Sequence, residues 1–197
     1  MAGIVVDVQL SLFDQAGQLV RQRRRPTLFT HRGLSGPGAM DLAGDVEECR
    51  GGASLEIDFA PDHSAAQLSA EWIAGAKAQG KRLVAHALPA HLPERLRQHI
   101  ATAALVPATT LAELTRDRRQ ALLQALKQCR VAVPRSLGFG HAEVTRGGIA
   151  LDEVDADGVE QLRDLELVDK GEVDALALRA VAQGGVVDLD WVHGKSI

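Results

Sequence analysis

The spacing of apolar residues changes along this chain, and that change limits the folds that it can adopt. Every second residue is apolar over residues 6–12 and again over residues 55–59, which is typical of strands with one buried face. Between residues 65 and 129 the apolar residues instead follow the three- and four-residue spacing of amphipathic helices. This succession of spacings, strand-like and then helix-like, predicts an α+β protein with a helical block between strand-forming blocks.

Turn and capping residues mark the ends of the predicted elements. Residues 14–17 are turn-forming, so a hairpin is expected over about residues 4–25. Ser35 precedes Pro37 in what would be a first helical turn, and we predict it as the N-cap of a short helix to about residue 43. The other predicted elements are short strands over residues 26–30 and 55–59 and helices over residues 65–79, 93–104 and 110–129, the last opening with a capping box.

The block that follows the helices is again extended, from about residue 141 to residue 154. We expect strands from the two ends of the chain to pair into one β unit. The predicted fold is therefore α+β, a small β-barrel-like unit of N- and C-terminal strands with an inserted helical subdomain. Its divisions are residues 1–62 plus 138–155 for the β unit, 63–134 for the helical subdomain, and 156–197 for an acidic tail whose structure the sequence leaves undecided.

The charge is unevenly distributed along the chain. The formal net charge is -4, and residues 151–197 alone hold twelve Asp and Glu against four Lys and Arg. Only 3% of the residues are aromatic and there is no Tyr, so few side chains can stack on nucleobases. We therefore expect no nucleic-acid partner. The chain shows no signal peptide and no membrane segment, which predicts a cytoplasmic protein without a membrane partner.

One serine offers a candidate nucleophile. Ser35 could act in catalysis with His31 or His141 as the base, and Asp41 could orient that base. The surrounding Gly-Leu-Ser-Gly-Pro is not the Gly-x-Ser-x-Gly pattern of a nucleophile elbow. An N-cap role explains Ser35 without any catalysis.

No metal site is predicted from the sequence. The seven histidines include no His-x-x-x-His pair, and the two cysteines have neither metal nor redox spacing. The acidic residues that follow the last predicted body strand do not match the spacing of an EF-hand loop.

Two segments resemble a known family. They are Thr-His-Arg-Gly-Leu-Ser-Gly-Pro at residues 30–37 and Glu-Val-Thr-Arg-Gly-Gly-Ile at residues 143–149. Both are similar to the motifs that open and close the insert domain of the YhiN/BaiN-type flavoproteins. These are NAD(P)/FAD-dependent oxidoreductases, also named NAD(FAD)-utilising dehydrogenases. The resemblance covers about residues 3–154 and implies a β-barrel part and a helical part.

The resemblance also implies a cofactor, which is FAD in the parent family. Thr145, Gly147 and Gly148 match the positions that lie near the cofactor in that family. The chain lacks the family's Gly-x-Gly-x-x-Gly, the loop that holds the FAD pyrophosphate on a helix N-terminus. We therefore expect no cofactor and no redox activity in the isolated chain, and the sequence leaves open whether it is an enzyme.

Three functional hypotheses follow from these observations. The first is a stand-alone or truncated insert domain that caps the small-molecule substrate of a flavoprotein oxidoreductase and docks on its FAD-binding domain. The second is a small serine hydrolase or esterase that uses Ser35 with a histidine. The third is a self-associating binding module.

Overall fold

The structure is a computed structural model that describes residues 2–138, 142, 145–146, 181–182 and 187–188. Its five main strands are β1 (Ile4–Phe13), β2 (Leu19–Phe29), β3 (Gly33–Ser35), β4 (Ala53–Asp58) and β5 (Cys129–Val133). Its helices are α1 (Gly36–Glu48), α2 (Ala65–Ala78), α3 (Glu94–Ala103) and α4 (Arg116–Lys127), with short 3-10 helices at Val84–Ala87 and Leu111–Glu113. The two-residue strands β6 (Thr145–Arg146), β7 (Val181–Ala182) and β8 (Val187–Asp188) complete the described elements.

The five main strands form one antiparallel sheet in the order β5-β4-β1-β2-β3, curled into a half-barrel. Strand β8 pairs with β3 at the edge of this sheet, and β6 pairs with β7 separately. The predicted α+β class with a barrel-like strand unit is therefore confirmed. The predicted domain boundaries remain predictions.

The core lies on the face of the sheet that α1 covers. Ile4, Val6, Val8, Leu10 and Leu12 alternate along β1, and all five are buried. A Cβ placed on a glycine in the first turn of α1 would lie 3.4 Å from the Leu10 side chain, so this helix packs directly on that face. The alternation of the sequence thus places the polar residues of β1 on the opposite face.

Helices α2 and α3 begin where their sequence signals predict. Ser64 forms a capping box with Gln67 at the start of α2, and α3 begins directly after Pro93. The Trp72 ring is buried, and its Nε1 donates a hydrogen bond to the Ala87 carbonyl 3.2 Å away. That bond ties α2 to the segment that leads into α3.

The single helix predicted over residues 110–129 is wrong, because the structure divides it in two. The capping box of Thr110 and Glu113 closes only the 3-10 helix Leu111–Glu113, after which Leu114 takes a ψ of 87° and leaves the helix. Thr115 then caps α4, its side chain accepting a hydrogen bond from the Arg118 N–H. Two capping threonines five residues apart therefore start two elements rather than one.

Three other boundaries differ from the prediction. Helix α1 runs to Glu48 instead of residue 43, because Val46 is still buried against the sheet. The predicted strand at residues 26–30 is the end of β2. Pro26 pairs with β1 alone there, so the backbone N–H that proline lacks is not needed for a bond to a second strand. No strand was predicted directly after the helix over residues 110–129, and the structure forms β5 there, beside β4.

None of the described helices is long and apolar enough to cross a lipid bilayer.

Candidate functional site

Ser35 lies where β3 becomes α1. It occupies the N-cap position with φ −140° and ψ −171°, but its side chain accepts no hydrogen bond from the first turn of the helix. Its backbone conformation is therefore that of a cap, while the predicted side-chain capping bond is not formed. The next residue, Gly36, takes a φ of +79°, a conformation that glycine adopts without steric cost.

The predicted catalytic partners of Ser35 that the structure describes, His31 and Asp41, form no hydrogen bond with it. His31 is exposed in the turn between β2 and β3, and within the described part of the chain no histidine bonds to Ser35. Asp41 instead accepts a hydrogen bond of 3.0 Å from Arg25. His141 lies outside the described residues. The proposed nucleophile, base and orienting carboxylate therefore gain no contact that supports them.

The predicted cofactor positions are described only in part. Thr145 pairs with Ala182 in the two-stranded sheet, and Gly147 and Gly148 lie outside the described residues.

The glycines at the start of α1 pack against β2. A Cβ on Gly38 would collide with Thr27 Oγ1 and lie 3.2 Å from the Arg25 carbonyl, and one on Gly36 would lie 3.3 Å from the Leu28 nitrogen. Both glycines thus allow close approach of α1 to β2. The packing accounts for these glycines, so they are no evidence of a loop that holds the FAD pyrophosphate.

A polar groove lies between the outer face of the sheet and α4, and we call it the amide groove. Its volume is about 440 Å³. The lining residues from the sheet are Gln9, Ser11, Gln22, Glu56 and Asp58. Those from α2, α4 and the residue after α4 are Ala65, Gln120, Leu123, Gln124, Lys127 and Gln128. Five of these eleven residues are glutamines, so side-chain amides dominate the lining.

Strand register produces the floor of the amide groove. Paired residues on neighbouring antiparallel strands share a face of the sheet, so the outward polar residues form rows across it. One row is Arg24, Gln9 and Asp58, and the next is Gln22, Ser11, Glu56 and Arg130.

Helix α4 forms the roof of the amide groove. The buried Leu122 and Leu126 hold the helix in the core. Gln120 and Gln124 lie one helical turn apart on the groove side, and Lys127 lies near the end of the helix. The Lys127 ammonium is fully engaged, because its Nζ lies 2.6 Å from Asp58 Oδ2, 2.7 Å from the Ala60 carbonyl and 2.6 Å from the His63 carbonyl.

The charges that line the amide groove cancel in pairs. Asp58 is paired with Lys127, and Glu56 accepts a hydrogen bond of 2.8 Å from Arg130. Among the described residues, the side-chain amides of Gln9, Gln120, Gln124 and Gln128 have no hydrogen-bond partner, whereas Gln22 donates to Ser11 at 2.9 Å. The groove therefore presents free amide donors and acceptors without an unpaired charge on its lining.

The arginines of β2 are mostly neutralised by carboxylates. Arg24 forms two hydrogen bonds of 2.7 Å to Asp62 and one of 3.1 Å to Asp7. The Asp62 carboxylate raises the pKa of Arg24, and the hydrogen bonds from Arg24 lower the pKa of Asp62. Arg21 is paired with Asp45 at 2.6 Å. This arginine run is therefore no open site for phosphate.

Positive charge is concentrated in residues 63–127, which hold α2, α3 and α4 and which we call the helical part. Residues 63–127 carry nine Lys and Arg against four Asp and Glu, whereas residues 2–62 carry six against nine. Glu113, one of the four acids, is held ionised because hydrogen bonds from the Thr110 N–H and hydroxyl lower its pKa.

The cysteine that begins β5, Cys129, packs against the core and is not poised to react. Burial raises the pKa of the Cys129 thiol to about 11, so almost none of it is thiolate at neutral pH. The groove is therefore suited to binding by hydrogen bonds and offers no activated thiol.

The sequence prediction missed the amide groove. Its floor comes from β1, β2 and β4, and its roof comes from α4, which begins nearly sixty residues after β4 ends. Two signals were present in the sequence: polar residues at alternate positions of β1 and β4, and Gln120, Gln124 and Gln128 at intervals of four. Neither signal shows that the two surfaces face each other.

Comparison with known proteins gives a family and two relatives. The family model described as "HI0933-like protein barrel and H2TH domain" matches residues 1–144. The ribosomal RNA dihydrouridine synthase of Escherichia coli (strain K12) is 30% identical over 150 residues, which are 76% of this chain and 36% of that protein. The protein of the same name from Haemophilus influenzae (strain ATCC 51907 / DSM 11121 / KW20 / Rd) is 26% identical over 122 residues, 62% of this chain and 29% of its own length. The chain thus spans about a third of the length of the curated relatives that it matches.

These findings correct the resemblance to the YhiN/BaiN-type insert domain, which was wrong. The matching model is the HI0933-like barrel and H2TH domain, and the relatives bear the name of an RNA-modifying enzyme. Within the motif at residues 30–37 the structure accounts for Gly36 by its positive φ and by the packing of α1 on β2.

Proposed function

Because the chain belongs to the HI0933-like protein family through its barrel and H2TH domain, we propose that it is the substrate-capping domain of a flavoprotein oxidoreductase acting on ribosomal RNA. The substrate class comes from the name of the relatives. In this proposal the flavin belongs to another part of the enzyme, and the described residues hold the RNA. Docking on an FAD-binding domain and self-association both remain predictions.

The distribution of charge carries this proposal. The helical part lies within the residues matched by the family model and has five more cationic than anionic side chains, nine against four. RNA is a polyanion, and its affinity for a protein comes largely from Lys and Arg that replace counterions at its phosphates. Arg95 of α3 and Arg116 and Arg118 of α4 are all exposed, so both helices offer cations to a phosphate backbone.

The net charge of the whole chain does not reflect this local excess of cationic side chains. The expectation of no nucleic-acid partner depended on the small number of aromatic residues and on a total charge of -4. That total averages the cationic helical part with the acidic residues after 151. RNA contacts are made by a local surface, so the charge of that surface is the relevant quantity. The proposal therefore replaces that expectation.

RNA binding by the purified chain tests the proposal. We expect a fluorescein-labelled single-stranded fragment of ribosomal RNA to bind with an affinity that falls as salt rises. The triple variant Arg95→Gln/Arg116→Gln/Arg118→Gln should weaken binding about tenfold near 0.1 M salt. It should also flatten the plot of log affinity against log salt by about 2, since each lost phosphate contact on a single strand removes about 0.7.

A matched control separates position from total charge. Arg32, Arg50 and Arg135 are exposed and lie outside the helical part, and changing them to Gln removes the same three charges. We expect this control to bind RNA nearly as tightly as the unmodified chain. Equal losses in the two triple variants, or no salt-dependent affinity in the unmodified chain, would contradict the proposal.

A further inference from the structure

We propose that the amide groove binds one unpaired nucleobase of RNA. This inference rests on the proposed function, and it names the part of the substrate that the domain recognises. The arginines of the helical part would supply affinity for the phosphate backbone, and the groove would bind a base and so distinguish RNA from a backbone without bases.

The hydrogen-bonding groups of the groove match a base edge. Each glutamine amide offers one acceptor oxygen and two donor N–H groups, and base edges carry the same two kinds of group side by side. Gln9 lies on the floor, while Gln120 and Gln124 lie on the roof, so a flat ligand between them meets amides from two sides. All three amides are without partners in the described part of the chain, so binding would break no internal hydrogen bond.

The electrostatics of the groove favour a neutral ligand. Asp58 and Glu56 are matched by Lys127 and Arg130, and Lys127 already contacts three oxygen atoms. A phosphate placed in the groove would meet two carboxylates and find no free cation on its lining. An uncharged ring avoids this repulsion, and Leu123 gives its face an apolar contact.

The size and surroundings of the groove also fit this ligand. Its volume of about 440 Å³ lies within the range of small-molecule sites, roughly 300–1,000 Å³. Arg116 lies four residues before Gln120, on the same face of α4 as Gln120 and Gln124. It is about 6 Å from Gln120 along the helix axis. Its side chain is exposed there and can meet the phosphate attached to a base held in the groove.

Two oligomers of equal charge test the inference. One is fluorescein-labelled hexauridylate, and the other is a ribose-phosphate hexamer of the same length without bases. We expect the chain to bind hexauridylate about tenfold more tightly than the abasic oligomer. The variant Gln120→Ala/Gln124→Ala should bring this ratio close to one and leave the affinity for the abasic oligomer unchanged.

The control variant is Gln18→Ala/Gln98→Ala, which removes two exposed glutamines outside the groove and should keep the full ratio. Both groove substitutions lie on exposed helical positions where alanine is favoured, and circular dichroism and thermal unfolding verify that the variant is folded.

The outcomes separate the inference from the proposed function. Salt-dependent binding of both oligomers with equal affinity would overturn the base site and leave the RNA function standing. A preference for hexauridylate that survives Gln120→Ala/Gln124→Ala would also overturn the groove as its location. Absence of affinity for either oligomer would overturn the proposed function itself.

Discussion

Leu105 adopts a backbone conformation that leucine rarely takes. Its φ is +59°, and its side chain is 84% exposed at the end of α3. The Val106 N–H donates to the Ala101 carbonyl at 2.8 Å, a bond typical of the helix end in which glycine usually takes this left-handed position. The left-handed conformation costs a leucine about 1 kcal/mol, and its exposed side chain recovers little of this by packing.

Replacing Leu105 with glycine should therefore stabilise the chain. We expect Leu105→Gly to raise the free energy of unfolding by about 1 kcal/mol, measured by urea denaturation. Ala103→Gly is the matched control at the exposed last residue of α3, where glycine should lower stability by up to about 1 kcal/mol. A loss of stability in both variants would show that left-handed strain at Leu105 is not the dominant effect.

No sequence pattern indicates the strained backbone of Leu105. Pro107 indicated that the helix had ended, but a leucine in the left-handed position looks like any other apolar residue of the helix. Ser35 shows the converse case. Its place before Pro37 correctly predicted the N-cap backbone, whereas the orientation of its hydroxyl depends on surroundings that residue order does not encode.

At the scale of elements, the packing of α1 on β2 leaves no space at Gly38. We expect Gly38→Ala to lower the free energy of unfolding by about 2 kcal/mol, since the new methyl group would collide with Thr27 Oγ1 and push the helix outward. Urea denaturation measures this loss.

A double-mutant cycle identifies the cause of that loss. Thr27→Ala removes the colliding atom, so Gly38→Ala should cost less in that background than in the unmodified chain. Thr27→Val keeps an atom in the same place and should give no relief. Equal costs of Gly38→Ala in both backgrounds would show that the collision is not responsible.

Elements with regular spacing and local capping signals were predictable. Helix α2 and strand β4 fall within one or two residues of the predicted ranges, because an apolar stripe defines the helix and a strict alternation defines the strand. The division near Thr115 was not predictable from periodicity. Leu111 and Leu114 are buried whether or not the helix is continuous, so the apolar spacing does not detect the break.

At the scale of the whole molecule, one ammonium group joins the helical part to the sheet. Lys127 and Asp58 form an ion pair with only 15% and 14% of their side chains exposed, and the same ammonium holds two carbonyls of residues 60–63. We expect Lys127→Met to lower the free energy of unfolding by about 3 kcal/mol in urea denaturation, because it leaves a largely buried carboxylate without its cation.

Removing both charges provides the control for this prediction. Asp58→Asn/Lys127→Met eliminates the unpaired carboxylate, so it should recover part of the stability that the single variant loses. A single variant as stable as the unmodified chain would show that the ion pair does not join the two parts.

The fold class was predictable because it follows from the order in which strand-like and helix-like spacings of apolar residues occur along the chain. The amide groove was not, since it depends on how a helix lies across a sheet. The pairing of Gln9 with Asp58 and the position of Gln124 opposite them are three-dimensional facts. Residue types alone indicate only that each of these side chains points away from a core.

Strands β4 and β5 are neighbours in the sheet, yet about seventy residues of chain separate them. Closing so long a loop costs entropy, so we expect this pairing to form after the local hairpin of β1 and β2 and the helices between β4 and β5. During synthesis the hairpin leaves the ribosome well before α4 does. The amide groove needs Gln120, Gln124 and Gln128 opposite the sheet, so a nascent chain cannot complete it before the end of α4 has emerged.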